Sequence, residues 1–160
     1  MTATTIDGRE AVLSFVEHEH DELSAGIERI HDVACGLSDL PASEMLVEVG
    51  HVLRWVDETL RPHMAWEESW LFPQIDQRAH TPWATRLVRF DHRQISRQAE
   101  QVSTHRLDVR HGPSGSAAAQ LRCDLLALEA LLRANVEREE QFLLPLLETP
   151  DDHWTAEWRD

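Results

Sequence analysis

Tyrosine is absent from this 160-residue chain, so no phenolate can serve as a metal ligand anywhere in it. Cysteine is scarce. Cys35 and Cys123 match no Cys-x-x-Cys spacing and are expected to be two buried thiols rather than a bridge. Positive charge is also in short supply, with 15 Lys and Arg against 29 Asp and Glu and a formal net charge of -14. Such a surface repels phosphate backbones and anionic lipid, which argues against nucleic-acid and membrane partners. No run of about 18 apolar residues is present to span a bilayer. The opening "MTATTIDGRE" lacks the basic-then-apolar order of a secretory signal, so the expected location is cytoplasmic. A chain of this length buries roughly 68 to 70% of its unfolded surface, so neither a metal nor a disulfide is needed for folding. What the sequence has in plenty is histidine, ten in all, alongside six tryptophans.

Apolar residues recur at spacings of three and four, and alternating β-branched stretches are few, so the fold class is all-α. Breaks fall at "LSDLPAS" (37–43), "AHTPWA" (79–84), "RHGPSGSA" (110–117) and "ETPDD" (148–152). Asp39 with Pro41, and Thr81 with Pro82, stand as cap and first-turn proline of the helices that follow. Four helices are predicted, at about 8–36, 42–77, 82–109 and 117–148, with Pro62 and Pro73 expected to kink or divide the second. Short connections between long helices favour an antiparallel up-down-up-down four-helix bundle over residues 8–148, followed by a tail, 149–160.

The stretch "HMAWEESWLFPQI" (63–75) returns as "NVEREEQFLLPLL" (135–147), an offset of 72 residues. The same offset carries Leu13, Val16, His20, Leu23, Ile27 and Ile30 of the first helix onto Thr85, Val88, His92, Ile95, Ala99 and Val102 of the third. It likewise carries Leu53, Val56, Leu60, His63, Glu67, Trp70 and Gln74 of the second onto Leu125, Leu128, Leu132, Asn135, Glu139, Phe142 and Leu146 of the fourth. Each series steps by three or four, as an inward seam does. A helical hairpin repeated once gives a bundle of approximate internal two-fold symmetry, in which His20, His63, His92, Asn135, Glu67 and Glu139 meet near the middle. An isolated carboxylate in an apolar core must pair, protonate or coordinate. Imidazoles with carboxylates favour iron, zinc or manganese, and two symmetry-related carboxylates can bridge a pair of ions. Glu68 and Glu140 fall about 100° round the helix from their neighbours and are expected to face solvent. Phe15, Leu23, Ile27, Ile95, Phe142 and Leu146 are expected to wall the site, with Trp66 and Trp70 as packing residues. His51, His80, His105, His111 and His153 are expected at the surface, and His31 lies about 16 Å along the helix from His20.

These motifs resemble the hemerythrin-like, or HHE cation-binding, family: a histidine in the first helix ("EHDEL", His20), His-x-x-x-Glu in the second (His63, Glu67), a histidine in the third ("FDHRQI", His92), and the position of a second His-x-x-x-Glu in the fourth (Asn135, Glu139). The resemblance covers about residues 10–147. It implies a non-heme di-iron centre with Glu67 and Glu139 as bridging carboxylates, and a small-molecule partner such as dioxygen, nitric oxide or peroxide. Asn135 departs from the family's fourth-helix histidine, so the ion near His92 and Asn135 is expected to bind more weakly than the one near His20 and His63. Ser96 stands where the oxygen carriers have another histidine. Ferritin-like Glu-x-x-His pairing occurs once, at Glu17 and His20, and lacks its partner. Binding or sensing, peroxide decomposition, and a metal-depleted interaction bundle remain as alternative functions.

Overall fold

The computed structural model describes residues 8–111 and 115–148, and all regular structure among them is helical. Four helices build it: α1 (Gly8–Gly36), α2 (42–78), α3 (Arg86–His111) and α4 (115–148), with a 3-10 turn, Leu37–Asp39, between the first two. Helix α1 packs on α2 and α4, and α3 packs on α2 and α4. The linker centre (112–114), the tail (149–160) with His153, and the side chains of Leu13, Glu17 and His111 lie outside the described residues.

Prolines do not break α2. Pro62 and Pro73, and Pro145 in α4, each follow a five-residue π-helical turn: Val56–Leu60, Glu67–Leu71 and Glu139–Leu143. The residue before each proline bonds five residues back, Arg61 to the Val56 carbonyl, Phe72 to that of Glu67 and Leu144 to that of Glu139. A widened turn makes room for a ring that would otherwise strike the carbonyl four residues earlier. The helix therefore runs through where the sequence predicts a kink or a division.

The extra residue in each π turn also rotates everything after it. Past Glu67 the inward positions are Leu71 and Ile75, not the predicted Trp70 and Gln74; past Glu139 they are Leu143 and Leu147, not Phe142 and Leu146. Trp70 and Phe142 are left exposed, and so is Phe15, which lies edge-on to Trp66 with ring centroids 5.1 Å apart. Phe15 and Phe142 thus do not wall the interior, whereas Leu23, Ile27 and Ile95 are buried as expected. Two apolar clusters result. One holds Leu23, Leu60, Met64, Ile95, Leu132 and Val136, and the other Val16, Leu71, Val88 and Leu143. Along every helix the polar seam residues fall between them.

Helix α3 begins at Arg86 rather than at Pro82, because its start is held from α2. Asp76 accepts hydrogen bonds from the Thr85 backbone N–H at 3.2 Å and from the Thr85 hydroxyl at 3.0 Å, satisfying groups that the first helical turn leaves free. Thr81 instead receives the Trp83 N–H. Cys35 and Cys123 are both exposed free thiols, against the expectation of burial, because each lies on the outer face of its helix. None of the described helices is long and apolar enough to cross a membrane.

Candidate metal centre

All six seam residues singled out in the sequence are buried: His20, His63, Glu67, His92, Asn135 and Glu139. One helical turn separates His63 from Glu67, and the His63 Nε2 lies 3.2 Å from Glu67 Oε1. From α1, His20 Nε2 approaches Glu139 Oε2 at 3.3 Å and Glu67 Oε1 at 4.0 Å. Donor atoms of His20, His63, Glu67 and Glu139 all lie within 4.8 Å of one another, close enough to surround one cation. His92 stands outside that quartet because it meets the opposite oxygens of the same carboxylates: its Nε2 is 3.4 Å from Glu67 Oε2 and 3.5 Å from Glu139 Oε1. Asn135 is on the His92 side too, its amide N–H donating to Glu139 Oε1 at 2.7 Å.

The contacts are close yet poorly aligned. His20 Nε2, His63 Nε2, both Glu67 oxygens, His92 Nε2 and Glu139 Oε2 are buried with no hydrogen-bond partner of good geometry. Buried polar atoms without partners are rare in folded proteins, and a convergent set of them from four helices fits a bound cation.

Each imidazole is backed by an outer carboxylate. His20 Nδ1 donates to Glu140 at 3.2 Å and His92 Nδ1 to Glu68 at 3.0 Å, while Glu19 lies 3.5 Å from His63 Nδ1. A hydrogen held on Nδ1 leaves the Nε2 lone pair of a neutral ring facing the centre, the arrangement that orients and strengthens an imidazole ligand. Glu68 and Glu140 were expected only to face solvent. Their 72-residue register was visible in the sequence, but the partner sits on a neighbouring helix, where periodicity along one helix says nothing.

Electrostatics follow from this packing. Burial alone lowers the pKa of His20 and His92, but Glu139 and Glu67 beside them outweigh it and push both up to about 10. For His63, burial is likewise overridden by Glu67, and the pKa rises. Burial acts to raise Glu67, and the three imidazoles around it hold it well below the usual carboxylate range instead. In the absence of a cation, protons on the imidazoles therefore balance the two carboxylates.

Away from this centre, His105 is not simply a surface residue: its Nδ1 pairs closely with the buried Asp124, which also accepts from Gln120. His31 pairs with Glu129 at 2.9 Å, clear of the core cluster.

A helical bundle carrying a buried layer of imidazoles and carboxylates defines a class of metal-binding proteins. Residues 11–147 match the family profile described as hemerythrin HHE cation binding domain, and the chain belongs to that family. Comparison with curated proteins and with solved structures returned no match.

Proposed function

We propose that the chain holds non-heme iron in this core and there binds or senses a small oxidant or gas, namely dioxygen, nitric oxide or peroxide. His20, His63, Glu67 and Glu139 serve as ligands in this reading, with His92 and Asn135 facing the adjoining position. The observation that carries it is the convergence of buried, poorly aligned imidazole and carboxylate atoms, which a cation would satisfy together. Imidazole and carboxylate suit iron, and bound iron supplies an open position for an oxygen or nitrogen ligand. The protein's own part is to fix the rings through Glu140, Glu68 and Glu19 and to keep water out with the apolar clusters on either side.

Access favours a small ligand. A pocket of about 200 Å³ lined by Arg61, Met64, Ala65, Glu68, His92 and Ser96 leads from the surface to His92. Ser96 keeps this route open where a histidine would narrow it.

The same reading takes the bundle as up-down-up-down with α3–α4 repeating α1–α2. Pairs in opposed order support it: Arg29 with Glu48 and Glu19 with His63 between α1 and α2, and His105 with Asp124 and Asp91 with Arg138 between α3 and α4. Two exposed free thiols fit a reducing, cytoplasmic setting.

The test is metal content and the absorption spectrum of protein expressed in iron-replete medium, followed by peroxide turnover and nitric oxide binding against iron content. Colourless, iron-free protein after such expression would return the metal-depleted interaction bundle as the better reading. Peroxide turnover that scales with iron would assign an enzyme rather than a carrier or sensor.

A further inference from the structure

We infer that this chain holds one cation rather than two, and that Asn135 together with the Arg138–Asp91 ion pair closes the second position. This rests on the metal-binding reading above and deepens it.

The two carboxylates each present one oxygen to either side of the core. Glu67 Oε1 and Glu139 Oε2 face His20 and His63; Glu67 Oε2 and Glu139 Oε1 face His92 and Asn135. On the first side both oxygens meet bare imidazole nitrogens. On the second, Glu139 Oε1 already accepts the Asn135 amide N–H at 2.7 Å, the shortest contact in the core. A cation at that oxygen would require the amide to turn over, lose this bond and offer a neutral carbonyl oxygen instead of an imidazole.

The surroundings of the second position have changed in step. By the 72-residue offset, Asp91 corresponds to Glu19 and Asn135 to His63. Glu19 backs His63 at 3.5 Å. Asp91, itself buried, has no imidazole to back and is bound by the Arg138 guanidinium at 2.6 Å. Arg138 also donates to the Ala134 carbonyl at 3.1 Å, so the guanidinium is fixed one residue from Glu139 and one turn from Asn135. A fixed positive charge thus occupies the flank where an outer carboxylate would have supported a second ligand. Loss of such outer support lowers metal affinity by about 10- to 100-fold, and loss of the imidazole adds to it.

One dication with two carboxylates and two neutral imidazoles is electrically neutral. A second would add two positive charges beside Arg138, with only His92 and an amide to receive them.

The experiment is anaerobic titration of chelator-stripped protein with ferrous iron, followed by gel filtration and metal analysis, with helix content checked by circular dichroism. The expected result is one retained ion per chain in the unaltered protein and in Asn135→His, and two in the double variant Asn135→His/Arg138→Ala. Two retained ions in the unaltered protein, or in Asn135→His alone, would overturn the inference, as would a folded double variant that stays at one. Should the double variant fail to fold, Asn135→His/Arg138→Gln keeps side-chain volume and carries the same expectation. No retained ion in the unaltered protein would sink the metal-binding reading itself, an outcome distinct from two.

Discussion

Stripping the metal should reverse the way stability depends on pH. His20 and His92 have pKa values near 10 in the folded, cation-free core against 6.5 for an ordinary imidazole. A group whose pKa is raised by folding contributes stability that is complete below its unfolded value and disappears as pH climbs through the folded one. The window is therefore pH 6.5 to about 10. Within it each raised histidine costs up to about 1.4 kcal/mol per pH unit. Between pH 7 and pH 9 the stripped protein should thus lose about 3 kcal/mol for one such group. It should lose less than twice that for the pair, because both rings draw on the same Glu67 and Glu139. At about 2 to 4 °C per kcal/mol for a domain of this size, Tm should fall by roughly 6 to 12 °C or more. With iron bound the rings have given up their inner protons, and affinity rises with pH because protons no longer compete. Thermal melts of chelator-treated and iron-reloaded protein at pH 7, 8 and 9 should therefore diverge. A stripped protein with a flat or rising Tm over this range would refute the reasoning, since it would mean that protons do not stand in for the cation.

Other expectations are more local. Glu140→Gln keeps shape but weakens the acceptor for His20 Nδ1, and should lower iron affinity by about 10- to 100-fold while leaving helix content unchanged, as measured by competition with a chelator. Gly26→Ala should destabilise by about 1 to 3 kcal/mol in urea melts, because an added Cβ would stand 2.2 Å from the Trp55 indole; helix propensity alone argues for a gain. His80 follows the end of α2 with φ at 51°, a left-handed conformation that glycine adopts freely, so His80→Gly should stabilise by about 1 kcal/mol in the same assay.

The inward seam was legible in the sequence because a step of three or four residues is a property of one helix, and His20, His63, Glu67, His92, Asn135 and Glu139 all proved buried. The same rule failed one turn later, where Leu71 and Leu143 replaced Trp70 and Phe142 as core residues. Both failures have one cause. A proline inside a helix can be met by a break or by a widened turn, and only the second moves the register by a residue. The sequence showed the prolines but did not reveal which response the backbone takes. Partners on other helices were beyond periodicity altogether, so Glu68, Glu140 and Glu19 read as ordinary solvated carboxylates until the helices were side by side.

The Asn135 exchange shows how the two levels join. Taken alone it is one missing imidazole, a defect that weakens a site and leaves its surroundings intact. In the folded chain the surroundings are altered as well: the amide satisfies Glu139, and the carboxylate freed from backing a ligand is taken up by Arg138. Both remaining groups are thereby paired without a second cation, which a damaged two-ion site would not achieve. A buried carboxylate left unpaired costs more than a marginally stable fold can bear, so loss of the imidazole and gain of the guanidinium are physically coupled. Reverting the asparagine by itself therefore reinstates a ligand without reinstating its support, and the second position opens only when Asp91 is also released.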